Sequence, residues 1–313
     1  MWHLRPASIS ERVGNRHIMN PMLADVLQVL RLERLEFNLF RGESRDPGHR
    51  RVFGGQVLGQ AVAAAYATVE NRAVHSLHAY FLRAGDPDHH IVYEVDRSRD
   101  GTSFTSRRVV AIQHGEQIFH MSASFQVAEA AIDRQGTMPA VPDPESLPDM
   151  AAAIEEMRKK APDRPRPFVD HQRPFEFRPV ELPDPTAEVL EEPHMKVWFR
   201  AVDRLPDDDT LHRSVLAYAS DYYLLGVAGM DQRLTVGRRE LQMASIDHAM
   251  WFHRPVRVDE WLLYVLDSPS ASGARGFARG SIFSRDGRLV ASTAQEGLVR
   301  RRKRPEPPAQ TAE

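Results

Sequence analysis

Three polar side chains in the second half of the sequence could together activate a water molecule. Asp221 is the only charged residue from Ser214 to Met230, and its helical neighbours are apolar. Ser245 and Gln295 lie on predicted strands, each on the face that carries apolar residues. A carboxylate can take a proton from water, while a hydroxyl and an amide can orient that water by giving and taking hydrogen bonds. The set Asp221, Ser245 and Gln295 therefore predicts general-base hydrolysis.

Each of these residues also has a purely structural interpretation. Asp is a favoured N-cap, so Asp221 could cap a helix that begins near Tyr222. Gln295 could tie down a strand end or a buried water, and a buried serine such as Ser245 commonly bonds the backbone. A half-buried carboxylate is nevertheless what general-base chemistry needs, and this favours a functional interpretation of the set.

An internal repeat in the chain provides a control for one of these residues. Residues 91–96 and 262–267 align at an offset of 171, which becomes 172 a few residues later. At that offset Gln295 corresponds to Ala123, which shares a predicted strand face with Phe119, Met121 and Phe125. A buried amide costs about 1–3 kcal/mol unless its hydrogen bonds are made, so a Gln at an apolar position needs a reason.

Both copies predict the same order of elements. A long apolar helix comes first, over Gly55–Val69 and Leu211–Val227, and alternating strands follow with turns at Gly101, Gly115 and Gly287. The many Ala and Gly residues of the first helix allow a sheet to curl closely around it. The predicted fold class is α+β, with two tandem repeats that each wrap a long central helix in an antiparallel sheet.

These patterns divide the chain into five segments. They are an N-terminal extension (1–21), a first repeat (22–128), a linker rich in Pro and charge (129–173), a second repeat that carries the catalytic residues (174–300), and a disordered tail (301–313). A short helix is predicted within the linker, over Pro148–Lys160. The first twenty residues lack the apolar run of a secretory signal, so the expected location is cytoplasmic.

Composition argues against several classes of function. Lys and Arg (41) nearly balance Asp and Glu (43), so there is no electrostatic case for a nucleic-acid partner. The absence of Cys removes disulfides, cysteine zinc sites and cysteine nucleophiles. The most hydrophobic stretch, Val52–Val69, is too short and too polar for a membrane span. No dinucleotide, P-loop or serine-hydrolase motif occurs, and His75 and His78 lack a third ligand, so neither cofactor nor metal is predicted.

Several motifs in sequence order resemble the acyl-CoA thioesterase II (TesB-like) family, over a region from about Leu23 to Arg300. They are Phe53-Gly54-Gly55-Gln56, His75-Ser76-Leu77-His78-Ala79-Tyr80-Phe81-Leu82-Arg83, Ala219-Ser220-Asp221, Ile246-Asp247-His248-Ala249-Met250-Trp251-Phe252-His253-Arg254-Pro255 and Ala291-Ser292-Thr293-Ala294-Gln295-Glu296-Gly297. The resemblance implies a double-hotdog fold and a cofactor-free enzyme that hydrolyses acyl-CoA, of medium to long chain and with broad specificity.

The same resemblance implies catalytic roles for Asp221, Ser245 and Gln295 as the Asp, Thr or Ser, and Gln that activate water. Bacterial members often have Thr where this chain has Ser245, and either hydroxyl can orient water. By analogy with other hotdog proteins, a homo-oligomer is expected. For the CoA phosphates, Arg254, Arg275 and Arg279 are candidate partners, and the backbone at Gly54 and Gly55 could supply oxyanion donors.

Two other functions stay open on the sequence. A hotdog-type enoyl-CoA hydratase or dehydratase would use an Asp–His pair, often as Asp-x4-His, but Gly226 and Phe252 stand at that spacing from Asp221 and Asp247. A non-catalytic acyl-CoA binding protein would have no need of a buried Asp and Gln on apolar faces. Release of free thiol from acyl-CoA distinguishes hydrolysis from both.

Overall fold

The computed structural model describes residues 19–46, 48, 50–160, 173–182, 193–230 and 241–302. The described residues include a short 3-10 helix (Pro144–Ser146) and five α-helices: α1 (Pro21–Leu30), α2 (Gly54–Tyr66), α3 (Met150–Lys160), α4 (Asp209–Ser220) and α5 (Leu224–Ala228). The strands of the first half are β1 (Glu33–Glu36), β2 (Leu39–Gly42), β3 (Ala73–Phe81), β4 (Ile91–Asp100), β5 (Phe104–Gln113) and β6 (Glu116–Gln126). Those of the second half are β7 (Phe175–Pro179), β8 (His194–Ala201), β9 (Leu241–Ser245), β10 (Asp247–Phe252), β11 (Leu262–Ser272), β12 (Arg275–Ser284) and β13 (Leu289–Arg301).

These strands form one continuous antiparallel sheet in which each half of the chain supplies one side. The order is β1-β2-β4-β5-β6-β3-β10-β13-β12-β11-β8-β7, and β9 pairs with β13 beside this path. The two halves meet where β3 pairs with β10, with Ala79 opposite His248 and Leu77 opposite Met250. The predicted α+β architecture of two repeats, each with a central helix and an antiparallel sheet, is confirmed.

The two central helices, α2 and α4, pack against each other beneath this sheet. Small residues make the contact close: a Cβ atom on Gly55 would lie 2.3 Å from the backbone oxygen of Tyr218. The residues of α2 are nearly all buried because sheet strands cover one side and α4 covers another. The Ala- and Gly-rich composition of α2 is therefore explained by close helix–helix as well as helix–sheet packing.

The alternation that mapped one repeat onto the other is present in the structure. Phe119, Met121, Ala123 and Phe125 of β6 are all buried, and so are Ala291, Thr293, Gln295 and Gly297 of β13. The buried position predicted for Gln295 on β13 is thus confirmed.

The helix predicted over Leu211–Val227 is wrong in one respect that matters for the site. It consists of two helices, α4 and α5, with Asp221, Tyr222 and Tyr223 between them. Tyr223 has φ of 64° and ψ of −22°, a left-handed conformation that ends the α-helical path. Apolar residues continue through the break, so periodicity alone did not reveal it.

Parts of all five predicted segments lie outside the described residues. These are most of the N-terminal extension (1–18), residues 47 and 49 of the first repeat, part of the linker (161–172), residues 183–192 and 231–240 of the second repeat, and most of the C-terminal tail (303–313). Asn20, assigned to that extension by sequence, instead caps α1 by accepting a hydrogen bond from the Met22 amide at 2.9 Å. The helix predicted over Pro148–Lys160 corresponds to α3. Within the described part of the chain, no helix is long and apolar enough to cross a membrane.

Candidate active site

Asp221 lies at the point where the chain leaves α4, and its side chain is only 6% exposed. It is the C-cap residue, with φ of −80° and ψ of −7°. The alternative that Asp221 caps the following helix is not supported, because Tyr223 occupies that N-cap position and no side chain caps α5. A buried carboxylate is costly unless hydrogen bonds stabilise it, so its partners indicate why it is tolerated here.

The first of these partners is the N-terminus of α2. The backbone N–H of Gly55 donates to the Asp221 carboxylate, and the positive end of the helix dipole favours a negative charge at this position. Gly54 also lies close to the carboxylate, because a Cβ atom there would be 2.8 Å from Oδ2 of Asp221. In this arrangement the Gly55 amide serves the carboxylate of the catalytic candidate itself, and a role for the Gly54–Gly55 backbone as oxyanion donors stays a prediction.

The second partner is Gln295, which is completely buried on β13. Its Nε2 donates to Oδ1 of Asp221 at 2.8 Å. Its Oε1 is buried as well and receives no hydrogen bond from any described residue. An unmet buried carbonyl costs about 1–3 kcal/mol, so this oxygen is suited to accept a hydrogen bond from a water or a substrate.

Two further residues, His248 and Ser220, complete the network and were missed by the sequence analysis. His248 is fully buried on β10, with Nδ1 3.2 Å from Nε2 of Gln295 and Nε2 3.0 Å from Oγ of Ser220. The internal repeat held the necessary signal. At the offset of 171 residues His248 corresponds to Leu77, which is also fully buried. The comparison that identified Gln295 would therefore have identified His248 too.

Ser245 is brought near this network but not into direct contact with it. It lies at the end of β9, opposite Gly297 of β13. Because side chains alternate along a strand, Ser245 shares a face with Gln295, which lies two residues before Gly297. Among the described residues its hydroxyl has no hydrogen-bond partner. The structure thus joins Asp221 to Gln295 directly and places Ser245 one diagonal step away.

Burial shifts the pKa values of the two titratable groups of the site, Asp221 and His248, in opposite directions. Burial raises the pKa of Asp221 to about 6, although hydrogen bonds from Gln295 and Gly55 act in the opposite direction. Burial lowers the pKa of His248 to about 3. His248 is therefore neutral near pH 7, and its 3.8 Å approach to Asp221 is not an ion pair. A carboxyl group with a pKa near neutrality can act as a general base.

An aromatic cluster borders the carboxylate on one side. Phe53 packs against Tyr218 and Tyr222 with ring centroids 5.2 and 4.9 Å apart. Phe175 and Phe177 extend the cluster beyond Tyr222, at 5.9 and 5.3 Å. Asp221 therefore lies between polar partners and an apolar surface that could accept a hydrocarbon chain.

Other candidate features lie away from this site. Cavities of about 200 and 550 Å³ are found near the C-terminal end of α2, and Asp221 lines neither of them. In the described part of the chain one cluster, Asp86, His89 and His114, has metal-ligand geometry. Both rings bond the same Asp86 oxygen, at 2.8 and 3.1 Å, and these hydrogen bonds account for the cluster without an ion.

The arginines suggested as CoA contacts all carry carboxylate partners. Arg254 is paired with Asp133, Arg275 with Glu296 and Arg279 with Asp267. Nothing in this arrangement marks them as a phosphate site.

Comparisons with known proteins find acyl-CoA thioesterases. A family model described as acyl-CoA thioesterase matches residues 168–298, and one described as acyl-CoA thioesterase N-terminal domain matches residues 43–126. The chain is 39% identical to acyl-CoA thioesterase 2 of Haemophilus influenzae, across 90% of this chain and 99% of that protein. It is 41% identical to human acyl-coenzyme A thioesterase 8, across 88% of each.

Solved structures give the same result for the fold. The crystal structure of acyl-CoA thioesterase II TesB2 from Mycobacterium marinum is 43% identical with a TM-score of 0.72, across 89% of this chain and 99% of that chain. A protein with the hotdog fold from Alicyclobacillus acidocaldarius reaches a TM-score of 0.67 at 18% identity, across 88% of this chain and 98% of that chain. The architecture described above is therefore a double hotdog.

Proposed function

The chain belongs to the acyl-CoA thioesterase II (TesB-like) family, and from this premise we propose that it hydrolyses medium- to long-chain acyl-CoA with water held by Asp221, Gln295 and Ser245. The observation that carries the proposal is the buried, unpartnered Oε1 of Gln295 beside the Asp221 carboxylate. Two acceptors at one place can hold both hydrogens of a water molecule, which leaves a lone pair to attack a carbonyl carbon.

The reaction then needs only proton transfer and one addition. Asp221 takes a proton from the water while the oxygen bonds to the thioester carbon. The tetrahedral intermediate collapses with cleavage of the carbon–sulfur bond, and the CoA thiolate takes up a proton. Ser245, whose hydroxyl has no partner within the described ranges, donates to the water or to the developing oxyanion. No covalent acyl-enzyme is required, because the thiolate is a good leaving group.

The proposed preference for medium to long acyl chains is supported by the aromatic cluster of Phe53, Tyr218, Tyr222, Phe175 and Phe177. The rings of Phe53, Tyr218 and Tyr222 are partly exposed near Asp221, and the buried rings of Phe175 and Phe177 pack behind Tyr222. A longer chain buries more surface there, at about 0.8 kcal/mol for each methylene group removed from water. We expect kcat/KM to rise with chain length until that surface is covered.

The hydratase alternative depends on a histidine that can reach the substrate. A histidine does lie near Asp221, but it comes from another strand and not from an Asp-x4-His motif. Both ring nitrogens of His248 are engaged, with Gln295 and with Ser220, and the ring is fully buried. Thioester hydrolysis is therefore the function that this site supports best.

The test is a thiol-release assay with saturated acyl-CoA substrates of increasing length, run beside crotonyl-CoA. Release of one free CoA for each acid, fastest for medium or long chains, is the expected result. Tight binding without thiol release would favour a binding protein, and hydration of crotonyl-CoA without thiol release would favour a hydratase. A preference for acetyl-CoA would contradict the proposed chain length alone.

The pH dependence should report the ionisation of Asp221. Because the carboxylate is the base, kcat/KM is expected to fall about tenfold per pH unit below about 6 and to be level above it. Since the pKa of His248 is lowered to about 3, this residue stays neutral over that range and cannot cause the break. A rate that is flat from pH 4 to pH 8 would exclude a carboxyl base of this pKa.

Variants of Ser245 separate the hydroxyl from the shape of the side chain. Ser245→Thr keeps the hydroxyl, so it should retain kcat within about threefold. Ser245→Ala should lower kcat about five- to tenfold, since one hydrogen bond contributes about 1 kcal/mol. If the Ala variant matches the parent enzyme in kcat, Ser245 has no role in the reaction.

A homo-oligomeric state and a cytoplasmic location stay predictions.

A further inference from the structure

We propose that His248, held by Ser220, is a positioning residue that determines which end of the Gln295 amide faces the catalytic water. The inference rests on the proposed function and adds two residues to it. Neither His248 nor Ser220 contacts the water; both act through Gln295.

A backbone carbonyl oxygen can only accept hydrogen bonds. Oγ of Ser220 lies 2.9 Å from the carbonyl oxygen of Ala217, so the single hydroxyl proton is directed there. The same Oγ lies 3.0 Å from Nε2 of His248. Because the hydroxyl of Ser220 donates its proton to the Ala217 carbonyl, its Oγ can only accept a hydrogen bond from His248. The imidazole must therefore carry its proton on Nε2.

This tautomer fixes the role of the other ring nitrogen. In a neutral imidazole one nitrogen donates and the other accepts, so Nδ1 of His248 is the acceptor. Burial keeps the ring neutral by lowering the pKa of His248. Nδ1 lies 3.2 Å from the amide of Gln295, and an acceptor at this position requires an N–H group opposite it.

Gln295 therefore has both amide hydrogens assigned by its neighbours. One is donated to Oδ1 of Asp221 at 2.8 Å and the other to Nδ1 of His248. Oε1 is then the only part of the amide left to face the water. The reversed amide would place Oε1 against the Asp221 carboxylate and against the imidazole lone pair, and both contacts would be repulsive.

The orientation of the Gln295 amide determines the direction of the water's hydrogen bonds as well as the position of the water. If Nε2 faced the water, it would donate to one of the two lone pairs of the water, and with Ser245 donating to the other, no lone pair would be left to attack the thioester. With Oε1 facing it, the water must donate, and its free lone pair can point at the carbonyl carbon. The hydrogen bonds from His248 to Ser220 and from Ser220 to Ala217 thus select the productive orientation of the Gln295 amide, which could otherwise flip.

The tautomer can be measured in the intact enzyme, so the first test does not depend on any variant. In protein labelled with ¹⁵N-histidine, imidazole nitrogen shifts distinguish the two neutral tautomers. The chain has 14 histidines, and the signal missing from His248→Asn identifies His248. A proton on Nε2 and a bare Nδ1 at pH 8 are expected. The opposite tautomer, or a doubly protonated ring, would overturn the proposal.

Kinetics of two His248 variants test the acceptor itself. His248→Asn can place its Oδ1 where Nδ1 lies, so we expect kcat within about fivefold of the parent. His248→Leu offers no acceptor, so kcat should fall roughly 10- to 100-fold, the cost of a misplaced catalytic group, with KM nearly unchanged. Equal losses in the two variants would show that His248 acts only through packing.

A double-variant cycle then asks whether His248 acts through Gln295. In a Gln295→Leu background, His248→Leu should cost little more, because the amide that it orients is gone. Equal losses in both backgrounds would contradict the proposal. The outcome is separate from that for the proposed function. Full turnover by Asp221→Asn would refute the function, whereas a dead Asp221→Asn with an unaffected His248→Leu would refute only this inference.

Discussion

Replacing Asp221 with Asn lowers kcat for acyl-CoA hydrolysis by roughly 10²–10⁴, the usual contribution of a general base. The amide of Asn has nearly the same shape but cannot accept a proton from water at neutral pH. KM should change little, since the carboxylate acts on the water and not on the acyl chain. Steady-state thiol release with a saturated medium-chain acyl-CoA measures the loss directly.

A matched control for this variant is Asp247→Asn, in a carboxyl group at the start of β10. Burial raises the pKa of Asp247 too, and its Oδ1 accepts from the Glu296 amide at 2.7 Å, a role that Asn can fill. We expect this variant to retain kcat within about threefold. Turnover in Asp221→Asn that matches the Asp247→Asn control would refute Asp221 as the base.

Asp221→Asn should also change how the stability of the protein depends on pH. Folding raises the pKa of Asp221 from 3.8 to about 6, so the ionised group destabilises the native state above about pH 6, by on the order of 3 kcal/mol. Below pH 3.8 the group is protonated in both states and the penalty disappears. The Tm of Asp221→Asn relative to the parent should therefore rise between pH 4 and pH 8. A falling difference would mean that the native carboxylate is stabilised and not strained.

Replacing Gln295 with Leu should lower kcat about 100-fold. Leu fills a similar volume on the buried face of β13 but neither donates to Asp221 nor offers an oxygen to the water. The water then keeps its base but loses its orientation, and misplacement by about 1 Å can cost this much. KM for the acyl-CoA should stay within about threefold, because the amide does not bind the acyl chain.

Gln295→Glu provides the sharper comparison, since it keeps the shape and the oxygen but removes both amide donors. Two carboxyl groups 2.8 Å apart cannot both ionise easily, so they share a proton and the apparent pKa of the pair rises. The break in the pH–rate profile should move upward from about 6. An unchanged break would show that Gln295 and Asp221 are not in contact during turnover.

The fold could be predicted because the alternation of apolar residues is a local pattern and because the chain repeats it. Alternation along 119–125 and 291–297 predicted which face of each strand is buried, and the offset between the copies predicted the same order of elements in both repeats. The register between the halves was beyond this reasoning. The pairing of Leu77 with Met250 is a contact between distant segments that no local pattern specifies.

The candidate site was predictable only where a polar residue replaced an apolar one. Gln295 stood out against Ala123, and His248 would have stood out against Leu77 by the same comparison. Ser220 gave no such signal, since a serine near a helix end is ordinary. The break after α4 was hidden as well, because Leu224 and Leu225 continue the apolar period while Tyr223 turns the backbone left-handed.

The role of Ser245 depends on the substrate as well as on the fold. The sequence predicted Ser245 on the apolar face of a strand, and Ser245 is the last residue of β9. Pairing with Gly297 brings it near Gln295, yet no hydrogen bond joins its hydroxyl to Gln295 or to Asp221. Its contribution therefore depends on where the water and the thioester settle, and the Thr and Ala variants address this point.

The most direct test of water attack assisted by Asp221 is one turnover of acyl-CoA, with enzyme in excess, in H₂¹⁸O. If water attacks the thioester, every fatty acid released carries one ¹⁸O atom and the peptide that contains Asp221 stays unlabelled. If the carboxylate attacks instead, an anhydride forms, and its hydrolysis at the aspartyl carbon leaves ¹⁸O in Asp221 and an unlabelled acid. Mass spectra that place the label in the Asp221 peptide would contradict the mechanism.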